Sequence, residues 1–225
     1  FLYADDFLAE NLTIENASGE GKAIGQACAI IVDGDRVAFI NCRFVANQDT
    51  IYTYGKGKKQ YYRGCWIEGT TDFIFGASTC WFEDCTILCK RNSYVTAAST
   101  PEGAEFGYVF KNCRVIADEK TDKMYLGRPW RPFAKTVFID CELGSHIRKE
   151  GWHNWDKKYA EKTTFYAEYG SKGPGAAPAK DRVKWSHTLK AKEVKKYTPE
   201  NVLKTGSEID KHGVDVKVEW YFKVF

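Results

Sequence analysis

A short repeated pattern constrains the fold of this chain more than any other feature of its sequence. Each copy has an apolar residue, then any residue, then Asn, Asp or Gly, then Cys, then any residue, and finally a second apolar residue. The five copies place Cys42, Cys65, Cys85, Cys113 and Cys141. Self-similarity of β-rich units at intervals of roughly 20 to 30 residues predicts a solenoid.

The residue types in the repeat favour a parallel β-helix over a leucine-rich repeat. Asn, Asp and Gly at one fixed point suit a corner with left-handed backbone angles. A small buried Cys beside it suits an inward-pointing ladder position. Helical spacing appears only late in the chain, where residues 188–197 predict a short basic helix, and Thr198 followed by Pro199 predicts the start of another. The chain is therefore expected to be all-β with short C-terminal helices.

Composition excludes several classes of function. The 33 Lys and Arg residues nearly balance the 30 Asp and Glu residues, so the sequence does not indicate a nucleic-acid partner. No apolar run approaches the roughly 20 residues of a membrane span. The cysteines do not form the paired Cys-x-x-Cys spacings of a zinc site, and the four histidines are scattered, so no metal site is predicted.

Two acids and two glutamines share the period of the solenoid. Asp72 follows Asp49 at the same interval that separates the first two cysteines of the repeat, and Gln48 follows Gln26 at nearly that interval. If the chain coils with that period, the four side chains stack on successive rungs, which are about 4.8 Å apart in a parallel sheet. They would then share one small patch.

Such a patch has two interpretations. Neighbouring carboxylates repel, so the pKa of one is expected to rise and that of the other to fall, leaving one anionic nucleophile and one proton donor. Two amides beside them could donate to an oxyanion, as acyl transfer at an ester requires. The alternative is a structural ladder of polar side chains along the wall of the solenoid. These residues alone leave both interpretations open.

Two later segments bear on the same patch. Arg128, in the segment LGRPW, follows Asp72 at the interval that separates Cys85 from Cys141, which is two steps of the repeat. Its guanidinium could pair with Asp72, and Trp130 could present a flat face to a sugar ring. Residues 152–155, WHNW, could extend a sugar-binding groove or pack in the core or a loop.

Four motifs together resemble those of the pectin methylesterases, the family-8 carbohydrate esterases. They are GQACAI at residues 25–30, QDTIY at 48–52, DFIFG at 72–76 and LGRPW at 126–130, and they occur in the order and spacing of that family. The resemblance extends from about residue 1 to about residue 203. It implies a right-handed, single-stranded parallel β-helix like that of the pectin lyases.

The resemblance also implies roles for individual residues. Five would be catalytic and three would line sugar subsites: Asp72 as nucleophile, Asp49 as acid and then base, Gln26 and Gln48 as the oxyanion hole, Arg128 as the group that holds Asp72, and Trp130, Tyr52 and Phe75 as subsite residues.

The implied activity is hydrolysis of the C6 methyl esters of homogalacturonan to pectate and methanol, without cofactor or metal. The enzyme would be a secreted or periplasmic monomer. The alternatives are a truncated or inactive pectin-binding solenoid, or a polygalacturonase or pectate lyase on the same fold. Residues 1–225 would form a single domain without the family's N-terminal coils, with a helical or irregular flank at 188–225.

The repeat also makes a prediction about two cysteines. Cys65 and Cys85 hold the same position on successive coils, so their Cα atoms should lie within the roughly 4.4–6.8 Å that a disulfide needs. Export would allow that bond to form, and a disulfide is expected. The alternative is a reduced pair in a buried ladder of cysteines.

Overall fold

Three parallel sheets of five, six and eight strands form the walls of a right-handed parallel β-helix in the computed structural model, as the repeat and the resemblance predicted. The structure describes residues 1–204, 208–209, 215–216 and 220. The strands are β1 Leu8–Glu10, β2 Thr13–Glu15, β3 Ile30–Val32, β4 Val37–Ile40, β5 Arg43–Val45, β6 Ile51–Thr53, β7 Lys59–Arg63, β8 Trp66–Gly69, β9 Ile74–Gly76, β10 Thr79–Glu83, β11 Thr86–Cys89, β12 Tyr94–Ala98, β13 Tyr108–Lys111, β14 Arg114–Ala117, β15 Tyr125–Gly127, β16 Lys135–Ile139, β17 Glu142–Leu143, β18 Phe165–Tyr169, β19 His187–Thr188, β20 Glu208–Ile209 and β21 Asp215–Val216.

From β1 to β18, consecutive strands belong to different sheets, so neighbours within a sheet come from successive coils. The five-stranded sheet has the order β3-β6-β9-β12-β15, and the six-stranded sheet has the order β2-β5-β8-β11-β14-β17. The eight-stranded sheet runs β1-β4-β7-β10-β13-β16-β18-β19. The short strands β20 and β21 pair antiparallel with each other. A side chain therefore has its spatial neighbours one coil earlier and one coil later in the chain.

The corner between the eight-stranded and six-stranded sheets has the backbone that the repeat predicted. The φ angles are 52° at Asn41, 62° at Gly64, 53° at Asp84, 54° at Asn112 and 53° at Asp140. Asn, Asp and Gly are the residues that adopt this left-handed conformation most readily. The repeated residue thus turns the chain at the same point on every coil.

The cysteine that follows each corner points into the core. Five of these cysteines are stacked and fully or almost fully buried: Cys42, Cys65, Cys85, Cys113 and Cys141. Their thiols donate to carbonyl oxygens of the preceding coil, as from Cys65 to Phe39 at 3.3 Å and from Cys85 to Tyr62 at 3.5 Å.

The expected disulfide between Cys65 and Cys85 is wrong. All eight cysteines of the chain lie in the described residues, and all are free thiols. Side chains in register on parallel strands point in the same direction and are separated by a rung of about 4.8 Å. A disulfide instead needs Cβ atoms about 3.8 Å apart whose bonds converge. Matching repeat positions therefore produce a ladder of thiols.

A column of stacked aromatic rings fixes the register of the coils in the core. Phe39, Tyr62, Phe82, Phe110 and Phe138 contribute one ring each from consecutive strands of the eight-stranded sheet. Successive ring centroids are 5.2, 4.7, 4.5 and 4.4 Å apart, and the planes are within 17° of parallel. All five side chains have no exposed surface. Shifting one coil by a residue would move its ring out of the core.

Short helices occur in the C-terminal part of the described chain, between and after the last strands of the eight-stranded sheet. They are two 3-10 helices, Ala160–Lys162 and Ala179–Asp181, and two α-helices, α1 Ala191–Val194 and α2 Pro199–Val202. The predicted start of α2 is confirmed, because the Thr198 hydroxyl accepts from the Asn201 backbone N–H at 3.3 Å. The helix predicted at 188–197 is shorter, since Thr188 pairs with Glu168 in the eight-stranded sheet.

Much of the flank predicted at 188–225 lies outside the described residues. Among the residues that the structure does describe, no helix has the length and apolar character needed to cross a membrane.

Candidate active site

Two buried acids stand side by side at the edge of the five-stranded sheet. Asp49 lies two residues before β6 and Asp72 two residues before β9, and these strands pair at Ile51 and Ile74. Both acids have left-handed backbones, with φ of 66° and 49°, which Asp tolerates better than most residues. Their exposed fractions are 4% and 6%. The coil thus places two carboxylates on adjacent rungs, as their spacing in the sequence predicted.

Arg128 makes the predicted contact with Asp72. Its Nε donates to Asp72 Oδ1 at 2.9 Å and its second guanidinium nitrogen donates to Oδ2 at 2.6 Å. Arg128 directly follows β15, two rungs beyond β9. The residue before it must be glycine, because a Cβ on Gly127 would meet Thr96 Oγ1 at 2.1 Å. This two-point contact fixes the plane of the Asp72 carboxylate.

The two acids differ in their electrostatic surroundings. Burial, and then the charge of Asp72, raise the pKa of Asp49 to about 7, although Arg128 and a hydrogen bond from Gln48 oppose this rise. Burial also raises the pKa of Asp72, while the hydrogen bonds and charge of Arg128 lower it. The expectation that one pKa would fall below its usual range is therefore wrong, because burial outweighs the arginine. The acid without the arginine holds its proton near neutral pH.

The two glutamines lie on neighbouring rungs beside the acids. Gln48 is half-buried and its side chain bonds to Asp49, the next residue in the chain. Gln26 is exposed, and the adjacent Ala27 donates its backbone N–H to the carbonyl of Gln48 at 3.2 Å. The Gln48 amide thus contacts Asp49, and Gln26 is exposed on the neighbouring rung.

The three predicted subsite aromatics form one cluster. Tyr52 and Phe75 stack with centroids 4.2 Å apart and planes within 16° of parallel. The Trp130 ring lies 5.9 Å from Tyr52 and 5.7 Å from Phe75. A cavity of about 630 Å³ adjoins the cluster, with Tyr52, Tyr54 and Trp130 among its lining residues. Tyr54 was not predicted from the sequence as a lining residue, although its position two residues after Tyr52 could have indicated that role.

Two further aromatic residues surround Arg128. The centre of its guanidinium lies 3.9 Å from the Tyr94 ring centroid and 3.6 Å from that of Trp155. Tyr94 was missed in the sequence, although it follows Asp72 at nearly the interval that separates the two acids. Of the two tryptophans in WHNW, Trp152 is in the core with 1% exposure, whereas Trp155 is half-buried at this site.

No group of three or more His, Cys, Asp or Glu side chains placed to hold a metal ion occurs within the described residues. The chemistry that this arrangement can supply is that of paired carboxylates, one held by an arginine and the other holding a proton, beside amide donors and an aromatic wall. Acyl transfer through a carboxylate nucleophile needs these groups.

Comparison with known proteins agrees with this chemistry. The family model described as Pectinesterase matches residues 2–207. Pectinesterase 31 of Arabidopsis thaliana is 45% identical over 186 residues, which are 82% of this chain and 57% of that protein. The solved pectin methylesterase from carrot has a TM-score of 0.81 at 32% identity and covers 89% of this chain, which spans 66% of the carrot chain.

A solved pectin methylesterase in complex with a hexasaccharide has a TM-score of 0.75 at 29% identity, covering 89% of this chain and 70% of its own. This chain thus spans less than two thirds of the curated relative and of the carrot chain. The matched region nevertheless contains all the residues of the site described above. The chain belongs to the pectinesterase family.

Proposed function

We propose that this chain hydrolyses the C6 methyl esters of homogalacturonan, producing pectate and methanol. The observation that carries the proposal is the acid pair, in which Arg128 holds Asp72 at two points and Asp49 has a pKa of about 7. A carboxylate held in one plane suits a nucleophile, and a carboxyl that is protonated near neutral pH suits a general acid.

In the first half of the reaction an Asp72 oxygen attacks the C6 carbonyl carbon of the ester. The carbonyl oxygen becomes an oxyanion, and the side-chain amides of Gln26 and Gln48 would donate to it. When the tetrahedral intermediate collapses, the bond to the methoxy oxygen breaks and Asp49 gives its proton to the departing methanol. A mixed anhydride between Asp72 and the galacturonate remains.

In the second half Asp49, now a carboxylate, accepts a proton from water. The hydroxide equivalent attacks the anhydride at the galacturonate carbon, and the bond to the Asp72 oxygen breaks. Asp72 leaves as a carboxylate, which the guanidinium of Arg128 stabilises at both oxygens. The product is a free galacturonic acid group, which loses its proton to the solvent to give galacturonate, and Asp49 is again protonated for the next cycle. Every step uses side chains of this chain alone.

The substrate class follows from the surroundings of the acids. The stacked rings of Tyr52 and Phe75, with Trp130 beside them, offer apolar faces on which sugar rings can lie. A hexasaccharide complex is known for a related pectin methylesterase. We therefore assign a polymeric substrate bound along the groove, and we infer that the enzyme acts outside the cell, because that polymer belongs to the plant cell wall.

Methanol release from methyl-esterified pectin tests this proposal. The wild-type chain should release methanol and acidify the solution, and the pectin should keep its length. A polygalacturonase would produce new reducing ends, and a pectate lyase would produce unsaturated ends that absorb in the ultraviolet. Binding to pectin without any of these products would mean that the chain is only a pectin-binding solenoid. Any of these three results would overturn the proposed esterase.

A further inference from the structure

The guanidinium of Arg128 is covered on both sides. Its central carbon lies 3.9 Å from the Tyr94 ring centroid and 3.6 Å from the Trp155 ring centroid. Two rings this close to one carbon cannot share one face of a flat group, so they occupy its opposite faces. The edge of the guanidinium is directed at Asp72 and makes both hydrogen bonds there. The cation is thus held in its plane by two rings and at its edge by one carboxylate.

The two rings reach Arg128 from different parts of the fold. Tyr94 is the first residue of β12, the strand between β9 and β15, and its backbone carbonyl accepts from the Asp72 N–H at 2.9 Å. Trp155 lies outside the coil, in the turn before the first 3-10 helix. A rigid wall therefore supports one face of the guanidinium, and a turn closes over the other.

The turn that carries Trp155 has an unusual backbone. Trp155 has a φ of 57°, a left-handed conformation that large side chains rarely adopt. It is held there because the Trp155 N–H donates to Nδ1 of His153 at 3.0 Å and the Asp156 N–H donates to Oδ1 of Asn154 at 2.9 Å. Strained backbone that neighbouring groups hold in place is a recurrent feature of functional sites.

A lysine fastens this turn to the segment that carries Arg128. Nζ of Lys157 lies 4.2 Å from the Trp155 ring centroid. The same ammonium donates to the carbonyl of Pro129 at 3.2 Å and to that of Trp130 at 3.0 Å. The indole is thus tied directly to the residues that follow Arg128.

From these contacts we propose that Tyr94 and Trp155 clamp the guanidinium of Arg128 and so keep its two hydrogen bonds on the catalytic carboxylate. This positioning role rests on the proposed esterase function. A free arginine side chain can rotate about several bonds, and losing one of its two hydrogen bonds would let the nucleophile turn away from the ester. The clamp acts on the geometry of the reacting group, so it should affect turnover more than substrate binding.

Kinetics of paired substitutions test the clamp. Trp155→Leu removes the ring face and should lower kcat for methanol release about 3- to 30-fold, the range corresponding to loss of a cation–π contact, with little change in KM. Trp155→Phe keeps a ring face and should recover most of the loss. Trp66→Leu is the matched control, because Trp66 has a similar contact with Arg43 at 5.0 Å on another sheet, and kcat and KM should both stay as in wild type.

Other kinetic results would overturn the clamp. A rise in KM at constant kcat would show that Trp155 contacts substrate instead, and an unchanged kcat in Trp155→Leu would show that the ring has no positioning role. Thermal unfolding checks that each variant is folded. If Trp155→Leu does not fold, Tyr94→Leu removes the opposite ring and is interpreted in the same way.

A measurement without substrate separates the clamp from the proposed function. The Nε–H proton of Arg128, assigned by its loss in Arg128→Lys, can be followed by NMR exchange with water. It should exchange faster in Trp155→Leu than in wild type and in Trp155→Phe. Unchanged exchange and chemical shift would overturn the clamp whatever the activity. If wild type releases no methanol but the proton responds as expected, the esterase function fails and the clamp on Arg128 stands.

Discussion

Asp49 and Asp72 occupy equivalent positions on adjacent coils, each two residues before strands that pair with each other, and each in the left-handed conformation. Equivalence gives the two carboxylates nearly the same backbone, so their different roles must come from their surroundings. Arg128 makes hydrogen bonds with Asp72 but not with Asp49, and in the proposed mechanism this asymmetry distinguishes the nucleophile from the proton donor.

The backbone at Asp72 determines which substitution tests its role. Asp72→Asn suits a φ of 49° and should abolish nearly all methanol release while the thermal unfolding temperature stays close to that of wild type. Asp72→Ala should also be inactive, and less stable by about 1 kcal/mol, because Ala adopts this conformation poorly. Activity assays and denaturant unfolding measure both effects. Asp84→Asn, at an exposed corner with φ of 53°, should remain active. Near-normal methanol release by Asp72→Asn would exclude the covalent route.

The pKa of Asp49 predicts how activity depends on pH. In the proposed mechanism Asp49 must be protonated for methanol to leave, so kcat/KM should fall as the pH rises above about 7. Asp49→Asn should lose about 10²–10⁴-fold in activity and should no longer show this alkaline limb. Measuring kcat/KM from pH 5 to pH 9 for wild type and for Asp49→Asn tests this prediction. An alkaline limb that persists in the residual activity of Asp49→Asn would assign the titration to another group.

The same shift in pKa predicts an effect on stability. Folding raises the pKa of Asp49, so its contribution to stability is fully present below the unfolded value of about 4 and is lost as the pH rises through about 7. Asp49→Asn cannot ionise and should therefore raise the thermal unfolding temperature relative to wild type more at pH 8 than at pH 5. Asp84→Asn serves as the control. If the difference in unfolding temperature between Asp49→Asn and wild type were the same at both pH values, ionisation of Asp49 would not destabilise the folded protein.

Arg128→Lys tests the two-point contact separately from charge. Lysine keeps the positive charge but cannot donate to both Asp72 oxygens in one plane, so kcat should fall about 10- to 100-fold. The acid limb of the pH profile should move to higher pH, because the hydrogen bonds of Arg128 lower the pKa of Asp72. Arg36→Lys, which changes a two-point contact with Asp6 at an exposed site, should have normal kinetics. Full activity of Arg128→Lys would show that charge alone suffices.

The buried thiols make a chemical prediction. All eight cysteines should react with a thiol reagent in denaturant without prior reduction, and reductant should change neither that number nor the mass of the protein. In the native protein the ladder of cysteines should react very slowly, because burial excludes the reagent. Six reactive thiols before reduction and eight after it would restore the disulfide that the structure contradicts.

The sequence predicted the coils well because one residue type marks each corner. Asn41, Gly64, Asp84 and their equivalents fix where each coil turns, and counting from them places Asp49 beside Asp72. The same counting produced the wrong disulfide, because it specifies which residues are neighbours but not where their Cβ bonds point.

Other features of the site cannot be found by counting along the repeat. Trp155 reaches Arg128 only because an irregular turn holds its backbone at a φ of 57°, and no glycine or proline lies beside it to mark that turn. The pKa of Asp72 depends on how far burial outweighs the hydrogen bonds of Arg128, which requires knowing the packing. Tyr94 did repeat the period of the acids and could have been found.

The winding of the chain has a consequence for how activity arises during folding. Each coil contacts only its neighbours, so folding can begin at one point and spread along the axis. The residues of the proposed site lie on five successive strands of one sheet or beside them, from Gln26 before β3 to Arg128 after β15, and on the turn that carries Trp155. A nascent chain can therefore bury its aromatic column coil by coil while it is still unable to react. Turnover is a property that the chain acquires late, only after all of these coils have closed.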